Sequence, residues 1–122
     1  MIKEIAFNAY PAKDVPALRR WYEEKLGLKF GAPFLEDGVE LYNEANVGGG
    51  YFSLITPQWI GREPGSASGI VFEVDDIDKT IADLRGKGLE VEDPYVTPVC
   101  KISSLIDAEG NKVSLHQVTV PH

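Results

Sequence analysis

The same pattern occurs twice in the sequence, and this internal repeat limits the folds that the chain can adopt. Gly69–Val91 begins with the alternating apolar residues of a strand, continues into a helix with Asp76 at its start, and ends in a strand after Gly88. Ile5–Phe30 shows the same order around Asp14, 62 positions before Asp76. Because this offset is about half of the 122 residues, we predict two copies of one small module.

Each module is predicted to have the order βαβββ. We expect helices at about Asp14–Leu26 and Asp76–Lys87, joined by the turn-rich linker Pro57–Ser68. The modules then cover about residues 1–57 and 68–122 of a single α+β domain. The predicted strands are Ile2–Tyr10, Leu28–Pro33, Val39–Ala45, Tyr51–Thr56, a strand that starts at Gly69, Leu89–Glu92, about Val96–Ile106 and Lys112–Val120. Two such modules can form a curved mixed sheet with helices outside and a concave cup inside, where small ligands bind.

The composition and charge of the chain argue against several classes of function. A single cysteine, Cys100, excludes an internal disulfide and a cysteine-built metal site. No apolar run approaches the roughly 20 residues of a membrane helix, and a net charge of −7 argues against nucleic acid as a partner. The opening residues MIKEIAFN lack the pattern of a secretory signal, so we expect a cytoplasmic protein.

Three segments, together with the repeat, resemble a known family. The segments RRWYEEKLGLKF, FEVDDIDKTIADLRGKGLEV and DAEGNKVSLHQ are similar to those of the vicinal oxygen chelate superfamily. That superfamily includes glyoxalases, bleomycin resistance proteins and extradiol dioxygenases. The resemblance implies a duplicated βαβββ fold and, in the enzymes of the family, one divalent metal held by His, Gln and Glu side chains on the strands that face the cup.

The positions that this resemblance assigns to metal ligands hold the wrong side chains. Counting from the helix caps, Trp59 and the last turn leads to Phe7, Leu54, Gly69 and Ser114. None of these four supplies the imidazole or carboxylate that a divalent cation requires. We therefore predict no catalytic metal and no cofactor.

Strand alternation predicts which side chains face the cup. The pocket is expected to be mostly apolar, with a few polar groups, which suits an organic molecule with a flat or apolar body. The predicted lining is Phe7, Phe52, Leu54, Thr56, Trp59, Glu73, Ser114 and His116. Glu73 and His116 are the candidate catalytic residues. The alternative for Glu73 is a solvated carboxylate at the rim, and for His116 a hydrogen-bonded histidine near a strand end.

Two classes of function follow from this pocket. The first is a protein similar to the bleomycin resistance branch, which binds a small organic molecule in a metal-free cup. The second is an enzyme: a divergent metal-dependent glyoxalase-like lyase or dioxygenase, or an acid–base catalyst that uses Glu73 and His116. A homodimer is expected because small sheets usually have their edges covered. Whether the modules pair within one chain or between two chains is left open.

Overall fold

The computed structural model describes residues 1–120 and contains two four-stranded mixed sheets, each with one main helix. Sheet 1 has the strand order β1-β4-β3-β2 and sheet 2 the order β5-β8-β7-β6. Each sheet contains one parallel pair, β1 with β4 in sheet 1 and β5 with β8 in sheet 2, and its other neighbouring strands are antiparallel. The elements are β1 (Asn8–Pro11), α1 (Val15–Leu26), β2 (Phe34–Glu36), β3 (Val39–Val47), β4 (Gly50–Ile55), α2 (Pro57–Ile60), β5 (Ile70–Glu73), α3 (Ile77–Gly86), β6 (Tyr95–Val96), β7 (Cys100–Ile106) and β8 (Lys112–Val118).

The helix starts confirm the repeat. The Asp14 side chain accepts a hydrogen bond from the Ala17 amide at 3.1 Å, and the Asp76 side chain accepts one from the Lys79 amide, also at 3.1 Å. Each aspartate thereby satisfies one of the backbone N–H groups that a helix start leaves without a partner. Gly27 follows α1 in the left-handed conformation, with φ of 71°.

The second strand of each module starts later than predicted. The segments Leu28–Pro33 and Leu89–Glu92 were predicted as strands, but each contributes only one isolated bridge to its sheet. Continuous pairing begins immediately after a proline in both modules, after Pro33 for β2 and after Pro94 for β6. Because proline has no N–H to donate to a ladder, it delays the start of regular pairing.

Other boundaries also differ from the prediction. The strand predicted at about Val96–Ile106 is divided, because β6 ends at Val96 and β7 begins at Cys100. The first strand begins at Asn8 rather than Ile2, since residues 1–7 have no partner strand in the described part of the chain. The linker Pro57–Ser68, predicted to have no regular structure, begins with the one-turn helix α2. Pro57 at the first helical position favours this turn, and Gly61 ends it with φ of 63°.

Both modules share one hydrophobic core. The strands form two separate sheets rather than one continuous sheet of eight, and the helix-side faces of both sheets join in a single buried cluster. Phe52 of sheet 1 and Phe72 of sheet 2 meet edge to face, with ring centroids 5.5 Å apart. Fully buried members come from both halves: Leu18, Tyr22, Phe52 and Leu54 from the first, Ile77 and Val113 from the second.

Two tyrosine hydroxyls of the first module bind polar groups of the second. The Tyr10 hydroxyl donates to the Lys112 carbonyl at 2.6 Å and accepts from the Ile70 amide at 3.0 Å. The Tyr22 hydroxyl donates to Asp107 Oδ2 at 2.6 Å. These contacts satisfy polar groups that would otherwise be buried without a partner, so they fix how the modules fit together.

The turn between β7 and β8, which contains Asp107, makes further contacts with the first module and with the linker. Asp107 Oδ2 also accepts from Asn111 Nδ2 at 2.9 Å, and Glu109 accepts from the Lys13 and Asp14 amides at 2.7 and 3.0 Å. The linker approaches the same turn so closely that a Cβ at Gly65 would lie 2.4 Å from the Glu109 carbonyl oxygen. The start of α1, the linker and this turn therefore form one packed unit.

Each sheet has one face toward the helices and the core, and an opposite face that we call the open face. In sheet 1 the register places Ala9, Glu44 and Ser53 together on the open face. Phe52 and Leu54 therefore point to the core, where the Phe52 ring lies 5.0 Å from that of Tyr22. The prediction that Phe52 and Leu54 line the cup was wrong. Residues 52–55 are all buried, so alternation of burial along β4 does not identify the face.

We predict that Tyr22→Phe changes the stability of the protein at alkaline pH. Burial, assisted by the Asp107 carboxylate, holds the pKa of the Tyr22 hydroxyl far above its ordinary value. Above about pH 10 the unfolded chain loses a proton here that the folded chain retains, so the free energy of unfolding falls as pH rises. The variant should be about 1–3 kcal/mol less stable at neutral pH. Above about pH 10, the free energy of unfolding of the variant should fall by about 1.4 kcal/mol less per pH unit than that of the wild type.

Urea denaturation at neutral and alkaline pH measures both effects. Tyr51→Phe is the matched control, because Tyr51 lies on the exposed end of β4, and its stability should follow that of the wild type at every pH. A Tyr22→Phe variant with the wild-type slope above pH 10 would contradict the assignment.

We also predict opposite effects on stability for substitution by glutamate on the two faces of β4. Leu54 is 0% exposed, so Leu54→Glu buries a charge with no partner and should cost more than about 4 kcal/mol or prevent folding. Tyr51 is 44% exposed, so Tyr51→Glu should change stability by less than about 1 kcal/mol. Thermal denaturation followed by circular dichroism compares them, and equal tolerance would show that the face assignment of β4 is wrong.

Candidate functional site

The open face of sheet 1 carries a cluster of aromatic rings. Phe7 meets Tyr42 edge to face, with ring centroids 5.6 Å apart. Phe34 pairs with Tyr42 in the register of β2 and β3, and its ring lies 5.7 Å from that of Trp59 in α2. Phe7, Phe34 and Trp59 remain exposed to solvent. These rings provide an apolar surface against which a flat molecule can stack.

A polar group lies beside these rings. The Tyr42 hydroxyl donates to Glu44 Oε2 at 2.5 Å and lies 2.9 Å from Ser53 Oγ. Burial, with the added effect of the Glu44 hydrogen bond, raises the pKa of the Tyr42 hydroxyl. The hydroxyl therefore stays protonated at neutral pH and holds the Glu44 carboxylate on the open face.

The open face of sheet 2 carries the two candidate catalytic residues in contact with each other. Glu73 and His116 are register partners in β5 and β8, and Glu73 Oε1 lies 2.5 Å from His116 Nδ1. Glu73 Oε2 accepts a hydrogen bond from the Val118 amide at 2.8 Å. Val71 and Ser114, the neighbouring register pair, lie on the same face. No partner that orients His116 is evident near it in the sequence, and in the structure Glu73 occupies that position.

Ser53 and Ser114 occupy matching positions in the two sheets. Ala9 pairs with Ser53 in sheet 1 as Val71 pairs with Ser114 in sheet 2. The counterpart of Ser114 in the first module is therefore Ser53, and the count that led to Leu54 was wrong by one residue. Correcting it replaces a leucine with a serine and adds no ionisable ligand.

The donor set does not fit a divalent metal. Within residues 1–120, no group of three or more His, Cys, Asp or Glu side chains is placed to hold a metal ion. Within the described residues, Glu73 and His116 supply two such side chains at one place, whereas a protein site for a divalent transition metal usually takes at least three. Gly69 has φ of 107°, which disfavours a side chain at that position altogether.

The remaining predicted lining residues lie in different places. Thr56 precedes α2, and its hydroxyl donates to the Gln58 side chain. Trp59 belongs to α2 and contributes to the aromatic cluster of sheet 1. Sequence reasoning missed Phe34, Tyr42, Glu44 and Ser53 on the open face. Tyr42 and Glu44 alternate with the buried Asn43 and Ala45 along β3, a period-two signal that was available in the sequence.

Two cavities border the sheets, and neither is lined by the aromatic rings of sheet 1. A cavity of about 620 Å³ lies against sheet 2 and includes Glu92, Ser104, Ile106 and Lys112 in its lining. A second, of about 310 Å³, lies between the ends of α1 and α3. Both candidate surfaces, the aromatic cluster of sheet 1 and the Glu73–His116 pair of sheet 2, are thus open to solvent on one side.

No helix in residues 1–120 is long and apolar enough to cross a membrane. Among proteins of curated function, none matches this chain. Solved structures do match it over nearly its full length. TnmS3, an antibiotic binding protein from Streptomyces sp. CB03234, is 25% identical, with a TM-score of 0.81 over 97% of this chain and 98% of that one.

Two further solved structures show the same fold at lower identity. A member of the glyoxalase/bleomycin resistance protein/dioxygenase superfamily from Sphaerobacter thermophilus is 22% identical, with a TM-score of 0.80 over 95% of this chain and 98% of that one. A lactoylglutathione lyase from Agrobacterium tumefaciens is 19% identical, with a TM-score of 0.75 over 96% and 95%. The family model described as glyoxalase/bleomycin resistance protein/dioxygenase superfamily matches residues 4–115. The chain therefore belongs to the glyoxalase/bleomycin resistance protein/dioxygenase superfamily.

Proposed function

We propose that this protein binds a small organic molecule with a flat or apolar body on its open faces, without a catalytic metal. The observation that carries this proposal is the exposed aromatic cluster of Phe7, Phe34, Tyr42 and Trp59 on sheet 1. Exposed rings next to a few fixed polar groups are typical of small-molecule sites. The similarity to TnmS3, which is described as an antibiotic binding protein, supports the same class of function.

The alternative is a metal-dependent lyase or dioxygenase of the same superfamily. The similarity to a lactoylglutathione lyase bears on the fold alone at 19% identity. Such an enzyme needs a converging set of ligands, and the corrected positions Phe7, Ser53, Gly69 and Ser114 do not supply one. The chemistry of these side chains therefore favours binding over metal-dependent catalysis. The cytoplasm stays the compartment predicted from the sequence.

We further propose that the binding site is completed by a second copy of the chain. Both open faces remain exposed, and β1, β2, β5 and β6 are the outer strands of their sheets. Residues 1–7 extend from β1 with Ile2, Ile5 and Phe7 exposed. Apolar faces and unpaired strand edges of this kind are usually covered in solution.

Because the proposed site combines the open faces of both sheets, a charge on the open face of sheet 2 should abolish binding without unfolding the protein. Val71 and Val99 each expose 48% of their surface, but Val71 lies on the open face and Val99 lies between β6 and β7. We expect Val71→Glu to remove the thermal stabilisation that flat aromatic compounds give the wild type, and Val99→Glu to retain it. Both variants should unfold within a few degrees of the wild type when no compound is present.

The measurement is a thermal-shift screen of flat aromatic compounds, repeated with EDTA and with added divalent cations. Compounds should stabilise the wild type equally in the presence of EDTA. Stabilisation that requires a divalent cation would favour the metal-dependent alternative. Stabilisation that persists in Val71→Glu and disappears in Val99→Glu would place the site elsewhere.

The oligomeric state is tested separately. Sedimentation equilibrium at roughly tens of micromolar, where ordinary weak interfaces are populated, should give about twice the 13.4 kDa of one chain. A variant that lacks residues 1–6 should dissociate at lower concentrations than the full chain, because it loses the exposed apolar residues Ile2 and Ile5. A monomer across this concentration range would overturn the proposal of a second copy.

A further inference from the structure

The Glu73–His116 pair fixes the chemical form in which the histidine faces a ligand. Glu73 Oε1 lies 2.5 Å from His116 Nδ1, and the Val118 amide donates to Glu73 Oε2 at 2.8 Å. The backbone amide thus holds the carboxylate in the orientation that meets the imidazole. An ionised carboxylate accepts hydrogen bonds and donates none, so Nδ1 must carry the hydrogen.

This hydrogen bond leaves the other ring nitrogen as the acceptor. In a neutral imidazole only one nitrogen is protonated, and when it is Nδ1, Nε2 has a free lone pair. Nε2 has no hydrogen-bond partner within residues 1–120. Two apolar side chains lie on the same face, Val71 beside Glu73 and Ile102 opposite His116 across β7 and β8. The open face of sheet 2 therefore presents one acceptor within a partly apolar surface.

The charge of the surroundings selects the kind of group that would bind this acceptor. Glu73 lies beside it and the chain carries a net charge of −7, whereas Lys112, a cation on the same face of β8, lies four residues away along the strand. An anionic ligand would be repelled by the adjacent Glu73 carboxylate and by the net negative charge of the chain. A neutral donor, such as an aromatic hydroxyl, satisfies Nε2 without bringing a negative charge to the site.

We propose that the molecule bound by this protein is a neutral flat aromatic compound with a hydroxyl group that donates a hydrogen bond to His116 Nε2. This inference rests on the proposed binding function and defines the class of ligand. His116 contacts the hydroxyl directly, and its ring lies beside the apolar side chains of Val71 and Ile102. Glu73 is a positioning residue, which acts by holding the imidazole in the tautomer that accepts.

The test compares 2-naphthol with 2-methoxynaphthalene, which has the same rings but no hydroxyl hydrogen. Fluorescence titration is done at a mildly alkaline pH, where imidazoles are generally neutral and naphthol keeps its proton. The wild type should bind 2-naphthol about tenfold more tightly than the ether, the effect of one well-formed hydrogen bond in a desolvated site. His116→Phe keeps a planar ring and removes the acceptor, so the two affinities should become equal.

The outcomes separate this inference from the function on which it rests. If the wild type binds both compounds with equal affinity, or if His116→Phe leaves the tenfold preference intact, the hydroxyl does not bind Nε2 and the inference fails, although the protein still binds aromatic molecules. If neither compound binds, the inference and the proposed binding of flat aromatic molecules both fail. Val99→Leu, a change outside the strands, serves as the matched control and should keep the wild-type preference.

The role of Glu73 is tested by the tautomer of His116. Long-range ¹H–¹⁵N spectra distinguish a protonated ring nitrogen from an unprotonated one, and the signals of His116 are those absent from His116→Phe. We expect an unprotonated Nε2 in the wild type and a shift toward the Nε2-protonated tautomer in Glu73→Leu, together with a weaker preference for 2-naphthol. A wild-type ring with hydrogen on Nε2 and none on Nδ1 would overturn the proposal.

Discussion

The structure depends on the hydrogen bond between Tyr22 and Asp107, which joins the helix of the first module to a turn of the second. Tyr22 is fully buried, and Asp107 also binds the side chain of Asn111. A buried carboxylate is costly unless its oxygens are satisfied, so this contact stabilises the observed fit between the modules. Because the helix-side faces are joined in this way, the opposite faces of both sheets are left outside the shared core.

The sequence predicts well those features that depend on local chemistry. The Asp14 and Asp76 caps and the left-handed Gly27 determine where the helices begin and end, since each acts through its own backbone neighbours. The start of a strand depends instead on a partner that is distant in sequence. Segments 28–33 and 89–92 have strand-like composition, yet each makes only one bridge. Regular pairing begins only after Pro33 and Pro94.

The same distinction explains which parts of the site could be predicted. Glu73, Ser114 and His116 were assigned to one face correctly, because β5 and β8 alternate between core and solvent residues. In β4 the residues on both sides are buried: Leu54 by the core and Ser53 by its contact with Tyr42. Alternation then carries no information about the face. The contact between Glu73 and His116 could not be predicted from the sequence either. The two residues are 43 positions apart and meet only through the parallel pairing of β5 and β8.

The repeat gives the two open faces the same backbone, and their side chains have diverged. Ser53 and Ser114 occupy equivalent positions, but aromatic rings surround the first and the Glu73–His116 pair lies beside the second. Rings alone bind a flat molecule with little control of its orientation, whereas a polar pair alone provides little apolar contact area. A duplicated module can supply both on matching strands of one chain. In this protein, the first copy of the module carries the exposed aromatic rings and the second carries the directional hydrogen-bonding pair Glu73–His116.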